Sequence, residues 1–405
     1  MTESPYPMIP IEEALSLIER HVQRLPAISL PFEQTLGLVL AEDIVAVEPM
    51  PPFPASAVDG YAVVTEDGSG WHEVVGDQMA GYMADLEVTS GTAVRVTTGA
   101  PIPLGADAMV MIEETAEQDG RVNIKTDPIE AGAYIRPIGL DIERGQIVLY
   151  AGTQLGPAEL GLLATVGCTE VKVYRRPVVA IMSTGDEIVE PHETPQRGQI
   201  RDSNRFTLMN LVKQTGATVL DMGIIRDKQY QLEQTIEAGI SQADLLLTSG
   251  GVSMGQLDLV KPYFAQRGTI HFGRVNTKPG KPVTFATVDG VACFGMPGFP
   301  VSALVSFEIF VYPALRAMMG HTDCHHPCQK AMLQHTFRHA PHRTEFHRVT
   351  LYRNQQGQLT ATSTGFQGSG RLLSMVGANG FVILPHGQAD YEAGSIVEAV
   401  LLETV

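Results

Sequence analysis

Between residues 176 and 320 two hydrophobic periods take turns. "PVVAIMSTG", "ATVLDMGII" and "DLLLTSGG" are short apolar runs, and "SNRFTLMNLVKQTGA" and "QLEQTIEAGISQ" between them carry the three- and four-residue spacing of helices. Strands that alternate with helices in this way form a parallel sheet covered by helices on both faces, because each crossover must return the chain to the same end of the sheet. Ligands in such sheets sit at the carboxyl ends of the strands. The residues that follow each apolar run are therefore the first place to look for chemistry.

A chain of 405 residues is long for one core, so further domains are expected on either side of this segment. Residues 11 to 24 place Ile11, Leu15, Ile18 and Val22 on one helical face entered through Pro10. From "VEPMPPFPASAVDGYAV" to about Arg136 the text changes to short β-rich runs such as "AVRVT" and "AMVMIEE" between Gly and Pro turns. After residue 322, "TEFHRVTLYRNQQGQLTATST" and "GFVILPHGQADYEAGSIVEAVLLETV" again read as strands and turns. The expected fold class is multidomain α/β. It comprises an N-terminal linker domain, helical and extended, over 1–45 and 141–175; a β-rich domain over 46–140; a three-layer αβ domain over 176–322; and a β-barrel-like C-terminal domain over 323–405.

Charge narrows the function classes. A formal net charge of -17 disfavours attraction to nucleic acid or anionic lipid, so any bound anion must be held by a local cluster of cations. No run approaches eighteen consecutive apolar residues and the N-terminus lacks a secretory pattern, so no membrane association is expected and the cytoplasm is the default location. Cys168, Cys293, Cys324 and Cys328 are too scattered for a disulfide framework, which agrees with a reducing compartment. "HTDCHHPC" at 321–328 reads as a polar linker; its Cys-x3-Cys beside adjacent histidines matches no standard zinc spacing, although a metal site is the alternative.

The polar residues do collect at the strand exits. Gly250, Gly251 and Ser253 follow the run 245–247, and paired glycines let backbone N–H groups approach an anion, although a tight turn without a ligand reads the same. Asp186 and Glu187 follow one strand, Asp227 follows another, and Asp258 lies beyond the glycine loop. Carboxylates on one rim suit a hard divalent cation such as Mg2+; isolated surface acids or helix caps are the alternative. "NTKPGKPVTFA" supplies Lys278 and Lys281 around a Pro-Gly turn suited to an oxyanion, and "MPGFPVSA" sets Pro297 and Pro300 about a second turn that opens a helix. Asp59 and Thr98 sit among turn residues of the β-rich domain, where a capped turn is equally consistent with the pattern.

Taken together, "PPFPASAVDGYAV", "TTGAPIPLGADAMV", "STGDEIVEP", "RDSN", "SGGVSMGQLD", "KPGKP", "MPGFPVSA" and "GSGRLLSMVGANGFVILP" occur in the order found in the molybdopterin molybdotransferase family, which includes the E-domain of gephyrin, and the chain resembles that family from about residue 10 onward. The resemblance implies a homodimer whose αβ domain binds molybdopterin and whose cleft is completed by the β-rich domain of a second copy. It implies a transferase that takes adenylylated molybdopterin, supplied by a molybdopterin adenylyltransferase, and molybdate. With Mg2+ it releases AMP and yields molybdenum cofactor. By this resemblance Asp186, Glu187, Asp227 and Asp258 serve metal, adenylate or pterin, and Lys278 and Lys281 bind anions. Asp59, Thr98, Arg136 and Asp141 act from the other side of the cleft, and Ser369 contributes from the C-terminal domain. Arg136 joins the two lysines as a candidate for holding molybdate.

Three positions depart from the family pattern: Phe299 stands where Asn is usual, Leu140 where Glu is common and Gln256 where an acid often stands. They leave open a tungstate-selective paralogue. A carrier or scaffold of molybdopterin without catalysis is the reading from another class. A nucleotide enzyme of a different pathway lacks both a Walker-type lysine motif and a G-x-G-x-x-G fingerprint.

Overall fold

The structure is a computed structural model that describes residues 5–251 and 259–403. The chain packs as two compact units: Glu42–Ala151 with Pro157–Glu170, and Met1–Ala41 with Gly152–Gly156 and Val171–Val405.

The unit containing residues 42–151 is built on a six-stranded sheet. Its strands are β1 (Gly60–Val63), β2 (Gly70–Gln78), β3 (Thr92–Val96), β4 (Ala108–Met111), β5 (Thr115–Gln118) and β6 (Arg121–Ile124), in the order β4-β1-β3-β2-β6-β5. Only β2 and β3 run parallel. Side chains alternate between two cores: Tyr61, Val63, Ala108 and Val110 face one, while Ala62, Val94, Val96 and Met109 face the other. Period-two alternation on a pleated sheet produces this division. Gly60 has a specific steric role, since a Cβ there would lie 1.9 Å from the Val110 carbonyl oxygen. A side chain at residue 60 would push β1 off β4 and displace Asp59 with it.

The larger unit begins with α1 (Ile11–His21). It buries Ala14 and Ile18 into the main apolar core, with Ile11 and Leu15 partly covered and Val22 closing the helix end. The αβ layer follows in chain order as β7 (Val178–Thr184), α2 (Asn204–Gln214), β8 (Thr218–Ile225), α3 (Gln229–Gln242), β9 (Leu245–Ser249), α4 (Val260–Arg267), β10 (Gly268–Phe272), β11 (Thr284–Val288), β12 (Val291–Met296) and α5 (Pro300–Ser306). The sheet order is β8-β7-β9-β12-β11-β10. Val179, Ile181, Leu245 and Leu247 point to the face covered by α1 and α2, and Ala180, Met182 and Leu246 to the face covered by α3 and α4. Both faces are dry, which explains why these strands read as continuous apolar runs.

The sheet is mixed rather than wholly parallel: β7, β8, β9 and β12 are parallel, while β11 pairs antiparallel with both β12 and β10. The cause is local. Asp289 and Gly290 both have positive φ, 48° and 85°, and link Val288 to Val291 as a two-residue hairpin. Asp-Gly is the favoured pair for that turn.

A continuous helical segment, Pro300–Met318, is long and apolar enough by composition to cross a membrane, but 72% of its window is buried inside the protein. Its middle, Phe307–Val311, is a π-helical turn. The C-terminal strands β13 (Cys328–Leu333), β14 (Thr344–Arg353), β15 (Leu359–Ser363), β16 (Gly380–Leu384) and β17 (Ile396–Leu401) close on themselves in the order β14-β15-β13-β17-β16, with β16 pairing back to β14. The barrel interior holds Ala331, Leu333, Val349, Leu351, Ala361, Val382 and Leu384. Phe346 and Phe381, on the outer face, pack with Val301, Leu304 and Val305 of α5. The short strand Thr277–Lys278 pairs with β14, so the lysine loop is fixed to the barrel.

Candidate functional site

The carboxyl ends of β7 and β9 hold a group of buried polar atoms. Ser183 and Ser249 lie opposite each other in register, as do Met182 and Thr248. Asn204, at the start of α2, donates from Nδ2 to Ser249 Oγ at 2.8 Å and to the Gly298 carbonyl at 2.9 Å. Among the described residues, Ser183 Oγ, Thr184 Oγ1, Thr248 Oγ1 and Asn204 Oδ1 are buried without a hydrogen-bond partner. Each such atom costs about 1–3 kcal/mol unless something satisfies it. Four such atoms lie together at the carboxyl end of this sheet.

Beside them, Gly250 and Gly251 have φ of +87° and +67°. A Cβ on Gly250 would lie 2.8 Å from the Thr184 carbonyl oxygen, and one on Gly251 2.7 Å from Val260 Cγ2. Both glycines are thus required by backbone conformation and by close packing against β7 and α4. Ser253, Gln256 and Asp258 lie outside the described residues. Pro297 belongs to the turn after β12 and Pro300 is the first residue of α5, with Phe299 as its N-cap.

The acids at the strand exits form a neighbouring rim. Asp186 and Glu187 are exposed and Asp227 is half-buried. The Asp227 N–H donates to Asp186 Oδ1 at 3.3 Å, and Arg226 Nη1 ties the loop by donating to the carbonyls of Asp186 and Ile188 at 2.9 and 3.0 Å. Burial pushes the Asp227 pKa up, and repulsion from Asp186 and Glu187 adds to it against the backbone hydrogen bond. Among the described residues no three His, Cys, Asp or Glu side chains converge closely enough to hold a metal ion. The donor chemistry of the three carboxylates is nevertheless that of a hard cation.

A buried cation not named from the sequence, Arg205, supports this rim. Arg205 is buried and contacts Glu190 at 2.6 Å, Asp202 at 3.1 Å and Asp221 at 2.5 Å. Burial lowers its pKa, but the bonds from Asp221 and Asp202 outweigh that and raise it. The "RDSN" motif therefore supplies Asp202 and Asn204 to different tasks, and Arg205 just beyond it locks the loop on which the acids are mounted.

The two lysines open into a cavity of about 850 Å³. Its lining includes Lys278, Lys281, Arg338, Arg343, Ser302 and Ser369. Lys278 Nζ donates to Glu345 Oε1 at 2.7 Å, and His347 Nε2 lies 2.8 Å from Glu345 Oε2. Burial raises the Glu345 pKa, but hydrogen bonds with His347 and Lys278 win and bring it down to about 2. Burial lowers the Lys281 pKa, with repulsion from Arg274 and Arg343 adding to it. An acidic chain has thus placed several cations around one space, with one carboxylate among them, already paired. Sequence reading found the lysines and Ser369. It missed Ser302 of α5, and Arg338, Arg343 and Glu345, which the C-terminal barrel brings to the same cavity.

On the other unit, Asp59 Oδ1 accepts the Thr98 N–H at 2.7 Å, and the Asp59 carbonyl accepts the Ile112 N–H at 3.0 Å. Arg136 and Asp141 form an exposed ion pair. Asp59, an exposed residue, therefore has the turn-bracing role open to it from the sequence. The "HTDCHHPC" residues face separate partners: Cys324 Sγ is 3.2 Å from the His321 carbonyl, His321 Nδ1 is 3.2 Å from Arg316, and His326 pairs with Glu308 at 2.7 Å while stacking on Tyr312.

Comparison with known proteins follows the same geography. Three family profiles match in sequence: the MoeA N-terminal region (domain I and II) over 9–167, a probable molybdopterin binding domain over 180–317, and the MoeA C-terminal region (domain IV) over 330–402. A molybdopterin molybdenumtransferase from Haemophilus influenzae is 39% identical over 91% of this chain and 92% of its own. Gephyrin from Dictyostelium discoideum is 37% identical over 98% of this chain, which spans only 63% of gephyrin's length. The solved structure of a molybdopterin biosynthesis MoeA protein from Pyrococcus horikosii matches with a TM-score of 0.84 and 31% identity, over 98% of this chain and 100% of that one.

Proposed function

This chain belongs to the MoeA family of molybdopterin molybdenumtransferases, and on that premise we propose that it takes adenylylated molybdopterin and molybdate and yields molybdenum cofactor with release of AMP. It is a transferase of molybdenum cofactor biosynthesis. The observation that carries the finer reading is the basic cavity in a chain of net charge -17. A tetrahedral dianion and a phosphoanhydride both need fixed cations, and cations held in a low-dielectric recess stabilise developing charge without reorganising. Lys278 and Lys281 are assigned to that task, with Arg338 and Arg343 beside them. The unpartnered hydroxyls of Ser183, Thr184 and Thr248, with Gly250, Gly251, Pro297 and Pro300 around them, are assigned to the pterin. Ser369 is assigned to the cavity's anion, and Ser253 and Asp258 follow the family pattern.

Asp186, Glu187 and Asp227 are assigned to Mg2+, which when bound would supply charge neutralisation at the phosphate oxygens. Asp59, Thr98, Arg136 and Asp141 are assigned to the same reaction by the family pattern, acting within a homodimer. A molybdopterin adenylyltransferase is the proposed source of the substrate. The four-domain division and a cytoplasmic location belong to the same proposal; four free cysteines support the latter.

The test supplies purified protein with adenylylated molybdopterin, Mg2+ and either molybdate or tungstate, and follows AMP and active cofactor. Turnover with molybdate is the expected result. Turnover with tungstate alone would transfer the activity to that oxyanion, and tight binding without AMP release would make the protein a carrier.

A further inference from the structure

We propose that Phe299 and Phe366 form an aromatic bracket at the mouth of the basic cavity and stack the flat heteroaromatic ring of the substrate; this deepens the reading above and rests on it. Phe299 is 63% exposed and Phe366 75% exposed. A single exposed ring is ordinary on a protein surface and calls for no explanation. Both of these lie beside one short turn, 368–370, Phe366 within the cavity lining and Phe299 next to it. A Cβ on Gly370 would lie 3.5 Å from Phe299 Cδ1, and a Cβ on Gly368 only 2.5 Å from Phe366 Cε1. The turn between them carries Ser369, whose carbonyl accepts the Val301 N–H at 3.0 Å, and Phe366, Gly368 and Ser369 line the cavity with Lys278 and Lys281.

The loop bearing Phe366 is also braced. Gln367 Oε1 accepts the Arg348 N–H at 2.8 Å, and Gln367 Nε2 donates to the carbonyls of Arg348 and Gly365 at 3.1 and 3.0 Å and to Ser363 Oγ at 3.1 Å. Arg348 Nη2 donates to the Gly368 carbonyl at 3.3 Å. Phe299 is held between β12 and the first turn of α5, with the carbonyl of neighbouring Gly298 bound by Asn204. Rings mounted on fixed backbone lose little freedom when a second ring lands on them. A flat ring carrying a phosphate tail would place the ring against the phenyl faces and the phosphate among the lysines. Pterin and adenine both have that chemistry. Substitution of Phe for an amide at residue 299 then exchanges a hydrogen-bonding contact for a stacking one.

The experiment titrates wild-type protein, Phe299→Leu, Phe366→Leu, the double variant and both Phe→Tyr variants with neopterin, with AMP and with inorganic phosphate. Leucine keeps apolar bulk and removes the ring, so a surface that merely docks another protein would tolerate it. The expected result is that each Leu substitution weakens one ring-bearing probe on the order of fivefold, Tyr restores it, and phosphate is unaffected. The probe that weakens identifies the ring held. Equal affinity of all variants for both rings, no ring binding by the wild type, or parallel weakening of phosphate would each overturn the bracket. The molybdate insertion assay on the wild type runs beside it. Turnover there with ring-insensitive Leu variants removes the bracket alone, whereas absence of turnover and of AMP release removes the functional reading.

Discussion

The basic cavity and the acidic rim are built on opposite electrostatic principles. In the cavity, Lys278, Glu345 and His347 form a chain of short contacts in which the buried carboxylate is held ionised, its pKa down at about 2. On the rim, burial pushes the Asp227 carboxyl the other way, with repulsion from Asp186 and Glu187 adding to it. In the cavity one carboxylate is paired while Lys278, Lys281, Arg338 and Arg343 leave a surplus of positive charge, and the rim carries a surplus of negative charge. The difference in sign separates groups suited to an anion from groups suited to a cation, and each side of it can be broken separately.

The largest expected effect lies in the cavity. Lys281→Ala removes a cation that lacks the Glu345 brace, and turnover should fall about 10²- to 10³-fold while the protein stays folded. Steady-state AMP release and a melting curve measure both halves of that statement. Unchanged turnover would shift the oxyanion role to Arg338 and Arg343. Next, Asp227→Asn should lower Mg2+-dependent adenylate cleavage on the order of a hundredfold and raise the Mg2+ concentration needed, with the fold retained because the residue sits at a strand exit. Turnover and a Mg2+ requirement equal to those of the wild type would remove the rim from metal binding.

Glu345→Gln tests the pairing itself. Its carboxyl titrates at about 2 in the folded protein against an ordinary value of 4.5. A depressed carboxylate pKa contributes stability that is present above the unfolded value and is lost as pH falls toward the folded one. The contribution is on the order of 3 kcal/mol. Wild-type stability should therefore decline between about pH 4.5 and 2 on this account, and the Gln variant should start lower and flatten over that window. Denaturant midpoints across the range would read it. An equally steep acid limb in the variant would mean that other carboxylates set it.

Much of this contrast was legible in the sequence, in proportion to how local its causes are. Strand exits, the Gly-Gly turn and the Pro-braced lysines are written in contiguous residues, because periodicity and turn chemistry act over a few positions. The Asp289-Gly290 hairpin was equally local, yet the expectation of a parallel sheet passed over its Asp-Gly signal between "TFATV" and "VACFGM", and with it the antiparallel edge. Arg343 and Glu345 could not be joined to Lys278 in that way. They meet it only because β14 pairs with Thr277–Lys278 after the barrel closes, a contact between residues more than sixty apart in the chain. Arg205 was hidden for a related reason: its three carboxylate partners come from a loop, the turn just before its own helix and β8.

The smallest expected effect concerns the unpartnered hydroxyls between the two regions. Thr248 is fully buried, and its Oγ1 finds no partner among the described residues. Threonine and valine have nearly the same shape, so Thr248→Val exchanges an unsatisfied hydroxyl for a methyl group and little else. If the hydroxyl exists for a ligand, the free protein should be unchanged or more stable by about 1 kcal/mol, since a buried polar group without a partner is a cost that the methyl removes. Pterin binding should weaken several-fold at the same time. Opposite signs in the two measurements are the signature of a group kept for binding at the expense of stability. Loss of stability in the free protein would mean instead that the hydroxyl has a protein partner.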